Sequence, residues 1–99
     1  MPRSLRRHER VPTEAQIFVN WTGPDGVPRL SRGKCIDVSE SGLLAECPDP
    51  IPSRTYVSFR SDALRLEGSA SVRYCVTKGT RHRIGLEFSG GLKYKAAAS

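Results

Sequence analysis

The run Pro48-Asp49-Pro50-Ile51-Pro52 places three prolines within five residues. A proline ring fixes φ and removes the backbone donor, so neither a helix interior nor a central strand passes through this stretch. It is predicted to be an extended, polyproline-like connection of the kind that crosses the end of a barrel. Before it, residues 15–21 are rich in β-branched and aromatic side chains and read as a first strand. Thr22-Gly23-Pro24-Asp25-Gly26-Val27-Pro28 is a loop by composition. A second strand is predicted from about residue 29 to 39 and a third over 41–47. After the proline run, residues 55–59 alternate and form a fourth strand. Residues 64–76 form a fifth, in which Gly68 marks a bulge or bend. Lys78-Gly79-Thr80 is a hairpin turn. Residues 81–88 are the sixth strand, with Ile84, Leu86 and Phe88 facing inward and Gly90 and Gly91 ending it. Six strands, many turns and no convincing helix predict an all-β fold, an antiparallel barrel or sandwich.

A chain of 99 residues has room for one domain and one modest core. The formal charge of +6 and a pI near 9.7 favour anionic partners: nucleic acid, nucleotide or a membrane surface. No apolar stretch approaches the ~20 residues of a membrane-spanning helix. The basic start lacks the apolar core of a secretion signal, so a cytoplasmic protein is expected. Cys35, Cys47 and Cys75 are odd in number, widely spaced and without a Cys-x-x-Cys pair. They are expected to be reduced, buried thiols rather than zinc ligands, and no metal or cofactor is predicted. His8 and His82 are the only histidines, and neither adjoins a Ser or Cys in a nucleophile motif. No catalytic activity is expected.

Two stretches carry chemistry. Asp37-Val38-Ser39-Glu40-Ser41-Gly42 begins in the last residues of the predicted second strand and runs into the connection after it. By strand alternation Ile36 and Val38 face the core while Asp37 and Ser39 share the other surface, roughly 7 Å apart. Gly42 is expected to turn the chain through positive φ and to let a ligand approach the backbone. Taken alone, the stretch also fits an ordinary tight turn. The second stretch is Arg6-Arg7-His8-Glu9-Arg10, with Arg6 and Arg10 spaced i, i+4. It fits a solvated basic terminus. It also fits a reader of phosphate and guanine, because a guanidinium offers planar, paired donors and stacks on flat rings.

Arg6-x-x-x-Arg10 followed by Asp37-x-Ser39-x-x-Gly42 resembles the paired signature of the PilZ domain, a bacterial family that binds the second messenger cyclic di-GMP. Val11-Pro12, Gly42-Leu43-Leu44 and Ile84-Gly85-Leu86-Glu87-Phe88 extend the resemblance over roughly residues 5 to 88. It implies a six-stranded antiparallel β-barrel over residues 13–89, a flexible basic arm over 1–12 and a tail over 90–99. Many family members continue into a C-terminal helix; here a short helix or none is expected. A barrel face left open by that loss suggests a homodimer, and a one-chain mass by light scattering would count against it.

The resemblance also assigns a site. Arg6 and Arg10 are expected at the phosphates and guanine edges, with Arg7 assisting. Asp37 accepts from guanine N1 and N2, which discriminates against adenine, and Ser39 bonds a base or phosphate. Gly42 leaves room, and Tyr74 stands where many relatives carry an aromatic, usually Trp, that stacks on a base. Leu5 in front of the motif favours one ligand per site. The expected function is a cyclic di-GMP receptor whose arm orders over the barrel and alters a surface read by an effector protein in motility, biofilm or polysaccharide control. The alternative is a sequence-tolerant single-stranded nucleic-acid binder using Trp21, Tyr56, Phe59 and Tyr74.

Overall fold

The computed structural model describes residues 11–94, with side chains for residues 13–89. Seven strands run in chain order: β1 Val11–Pro12, β2 Gln16–Thr22, β3 Pro28–Val38, β4 Gly42–Cys47, β5 Tyr56–Ser61, β6 Leu66–Lys78 and β7 Arg81–Tyr94. All pairings are antiparallel. The order β3-β2-β5-β6-β7-β4 closes through a β3–β4 pairing, so six strands form a barrel and β1 lies along β3. No helix occurs among the described residues. The six-stranded antiparallel barrel expected from the sequence is therefore the observed fold.

Local chemistry explains the connections. The β2–β3 loop closes with Gly26 at φ +79° and bonds from Gly23 N to Val27 O and from Gly26 N to Gly23 O. The Val27 N–H donating to the Asp25 carboxylate lowers that carboxyl's pKa, and the Arg29 guanidinium acts in the same direction. Gly79 at φ +63° makes the tight β6–β7 turn between Lys78 and Arg81. The proline run crosses the barrel end from β4 to β5, which lie on opposite sides of the closed order. It is held there by Ile51, which is fully buried, and by the Ser31 hydroxyl donating to Asp49 at 2.9 Å.

Inside, one cluster joins Ile17, Val19 and Trp21 of β2 to Leu43, Val57, Phe59, Val72, Ile84 and Leu86. Phe88 packs partly buried against it and stacks on Phe59 with ring centroids 5.2 Å apart. Cys35 and Cys47 are buried as expected, while Cys75 is half-buried. Burial raises the Cys47 thiol pKa above its usual value.

Three features depart from the sequence-based expectation. Gly90 and Gly91 do not end the last strand, which continues to Tyr94 opposite Leu66. The glycines fall instead where the β6–β7 register shifts, between Glu67↔Lys93 and Ser69↔Ser89, so they are absorbed by an irregularity that a strand tolerates. The arm assigned to residues 1–12 ends in β1, where Val11 faces Val38 and Pro12 faces Asp37. Finally, Ile36 is not a core residue. The β3–β4 register passes from Cys35↔Ala45 to Asp37↔Leu44, so Ile36 is the extra residue of a bulge and Cys35 takes the core position. Residues 95–99, where a short helix was considered, lie outside the described residues.

Candidate functional site

Residues directly opposite in an antiparallel ladder share a face. One such row runs across four strands: Asp37 on β3, Leu44 on β4, Gly85 on β7 and Tyr74 on β6. The adjacent row, Val38, Leu43, Leu86 and Val72, is buried in the core. The Asp37 row is therefore on the outer surface. With strands about 4.8 Å apart, Asp37 and Tyr74 stand about 14 Å apart at their α-carbons.

Two bulges put these side chains outside. Strict alternation from buried Cys35 would send Asp37 inward; the extra Ile36 sends it out and returns Val38 to the core. On β6 the register passes from Val72↔Leu86 to Tyr74↔Gly85, which makes Arg73 the extra residue. Arg73 and Tyr74 consequently both face solvent, with Tyr74 45% exposed. Its ring lies so close to Gly85 that any Cβ there would overlap it.

The motif turn is self-supporting. The Ser39 N–H donates to Gly42 O at 2.8 Å, and the Ser39 hydroxyl accepts from the Ser41 N–H at 3.3 Å. That hydroxyl also donates to Gly42 O at 3.3 Å. Ser39 is 1% exposed, so it does not share the open surface of Asp37 as alternation predicted. The chain turns directly after it, and the side chain folds into its own turn. Gly42 is also placed differently. Its φ is not positive. A Cβ there would overlap the carbonyl oxygen of Leu86 on β7, so glycine is required by strand approach rather than by a turn conformation.

Beside this turn lies a shallow concavity of about 250 Å³, bounded by Ser41, Gly42, Arg73, Tyr74, Gly85 and Glu87. Arg73 pairs with Glu87 at 3.2 Å. Farther along the same face, Glu46 receives Arg83 at 3.4 Å and lies 3.9 Å from Arg81. The face thus combines an apolar floor, a half-buried carboxylate and several guanidiniums. Arg73 was not singled out from the sequence, and Leu44, Gly85 and Glu87 entered only through the extended resemblance, without a site role. Pairing between distant strands was the missing signal: the β4–β7 ladder sets Leu44, Gly85 and Glu87 on this face, and the β6–β7 pairing sets Arg73 beside them.

Arg6, Arg7 and Arg10 lie outside the described residues. Val11, the residue after Arg10, pairs with Val38 next to Asp37. Of the four aromatics considered for base stacking, Trp21 and Phe59 are in the core, while Tyr56 and Tyr74 are exposed. His82 is half-buried and within 3.2 Å of the Thr77 hydroxyl. Among the described residues no cluster of His, Cys, Asp and Glu could hold a metal, and no helix is long and apolar enough to cross a membrane.

A comparison with curated proteins finds no match. A family model, the PilZ domain, matches residues 4–93 and so spans the motif turn, strands β1 to β6, all but the last residue of β7, and the basic run at residues 6–10. The closed barrel and the Asp37-x-Ser39-x-x-Gly42 turn agree with that match, and the chain belongs to the PilZ domain family.

Proposed function

We propose that the chain is a cyclic di-GMP receptor whose ligand lies on the outer face of β3, β4, β7 and β6. The observation that carries this reading is the concavity beside the motif turn, with Asp37 and Tyr74 brought to the same surface by two bulges. In this reading Arg6 and Arg10, assisted by Arg7, supply charge-assisted bonds to phosphates and guanine edges, roughly twice the strength of neutral ones. Asp37 accepts from guanine N1 and N2, and Tyr74 stacks on a base. Ser39 acts on the ligand through the turn it holds together, and Gly42 keeps the β4–β7 approach close enough to leave the hollow open.

Ligand binding bridges the arm to the barrel. The β1 pairing supports this, because it sets the chain entering from Arg10 beside the Asp37 strand. The ordered arm presents a surface to an effector protein or to a second copy of the chain, in the cytoplasm. The work is recognition rather than catalysis. Burial of Trp21 and Phe59 removes two of the four rings that a single-strand binder would use, which favours the nucleotide over nucleic acid.

The test is calorimetric titration of the full chain with cyclic di-GMP, beside Arg10→Ala and Asp37→Ala, with GTP and cyclic di-AMP as competitors. Saturable binding that both substitutions weaken, and that neither competitor displaces, is the expected result. No heat and no shift in melting temperature would overturn the reading and direct the search to single-stranded RNA and DNA.

A further inference from the structure

We propose that Arg73 and Glu87 form a second guanine-reading pair on the far side of the hollow, an inference that rests on the cyclic di-GMP reading above. The ligand carries two guanines related by symmetry. Asp37 provides one carboxylate, and one carboxylate reads one base. The second base needs its own acceptor for N1–H and N2–H and its own donor for O6.

Glu87 and Arg73 are placed for that task. Glu87 lies two residues along β7 from Gly85, on the same outer face, and borders the hollow. Two interstrand spacings across the sheet and two residues along it separate Glu87 from Asp37, about 12 Å between α-carbons, a span suited to the two ends of one dinucleotide. Arg73 follows buried Val72 onto the outer face, and the β6 bulge sets Tyr74 beside it. Their ion pair presents an acceptor and a donor side by side, the complement of guanine's N1–H/N2–H and O6. Adenine offers an acceptor at N1 and a donor at N6, and it mismatches both partners. The pair remains open to solvent, with side chains 63% and 51% exposed, so it is free to engage a base. Glu46, on the same face, is less suited: it is 19% exposed and engaged by Arg83, with Arg81 close by. The Tyr74 ring lies over Gly85 and borders the hollow with Arg73 and Glu87, where it is available to stack on the base they read.

The experiment compares two cyclic dinucleotides, cyclic di-GMP and the mixed cyclic GMP–AMP, on the full chain and on Glu87→Gln and Arg73→Lys. Both side chains are on the surface, and both replacements keep the side chain's size. In the parent chain cyclic di-GMP binds more tightly than the mixed ligand. In each variant the affinity for cyclic di-GMP falls about tenfold, the scale of one lost bidentate base contact, and the ratio between the ligands shrinks. A ratio unchanged in both variants, with cyclic di-GMP still bound, overturns this inference and leaves the receptor reading intact. A parent chain that binds neither dinucleotide overturns the receptor reading first.

Discussion

The two broad faces of the barrel are built differently. On the β2–β5 side the ladders run without a break: seven consecutive pairs join β2 to β3, and β5 alternates exposed and buried along its whole length. On the β3–β4–β7–β6 side, bulges interrupt β3 at Ile36 and β6 at Arg73. The regular face carries the larger hollow, about 740 Å³, lined by residues such as Phe18, Leu30, Ser58, Arg60 and Ser69. The irregular face carries the smaller one, beside the motif. Neither size nor a register break alone marks the site, since the β6–β7 shift between Glu67 and Ser69 borders the larger hollow; the motif turn beside the outward Asp37 and Tyr74 does. A bulge re-aims a side chain without disturbing the core behind it, and these two bring outward Asp37 and Tyr74, which alternation counted from the core residues Cys35 and Val72 would have buried.

The strongest way to break this comparison is to fill a glycine on each face. Gly42→Ala drives a methyl group into the Leu86 carbonyl, a backbone atom that can move only by parting β4 from β7. The expected loss is about 2–3 kcal/mol by the usual scale of overpacking, a fall in Tm of roughly 10 °C or more. Gly68→Ala meets only the Phe59 ring, at 3.4 Å, and is expected to cost under about 1 kcal/mol. Urea unfolding of both variants measures the difference; equal losses would mean that the motif glycine is not set by strand approach.

Next in size is the effect of charge on binding. Asp37→Ala is expected to weaken cyclic di-GMP about tenfold to a hundredfold, the scale of a hydrogen bond to a charged group. Arg60→Ala, on the regular face beside Phe18, is expected to leave affinity unchanged. Tyr74→Ala should weaken binding about tenfold if the ring stacks on a base, and Tyr74→Trp should restore or exceed the parent affinity. A Tyr74→Ala variant with parent affinity would place the tyrosine outside the site.

The smallest expected effect belongs to the core that both faces share. The Cys47 pKa is raised by burial from the ordinary thiol value of 9.0. Below pH 9.0 the thiol is protonated in both folded and unfolded chains, and its contribution is constant. As pH rises past 9.0 the unfolded chain loses the proton first, so stability falls until the folded thiol also ionises. Cys47→Ala should flatten this alkaline decline in urea titrations between pH 8 and pH 11; an identical decline in the variant would assign it to other groups.

Much of the architecture was legible in the sequence because its signals are local. Prolines at 48, 50 and 52 exclude helix, Gly26 and Gly79 occupy the positive-φ positions of turns, and β5 alternates cleanly. What was not legible depends on pairing between distant segments. Nothing in Cys35-Ile36-Asp37 says that one of them is an extra residue; that follows from the count of residues on β4. Nothing near Gly90 says that two glycines continue a strand; the β6 partner decides it. The role of Gly42 likewise comes from β7, more than forty positions away in the chain. Arg73 and Glu87 were not read as site residues for the same reason, since the β4–β7 and β6–β7 pairings bring them beside the motif turn.

The most direct test of the account follows backbone amide chemical shifts while the full chain is titrated with cyclic di-GMP. The account predicts shifts concentrated at Ser41, Gly42 and Leu44, at Arg73 and Tyr74, and at Gly85 and Glu87, with Asn20, Ser58 and Ser69 unmoved. Shifts confined to the β2–β5 face, or no shifts at saturating ligand, would contradict it.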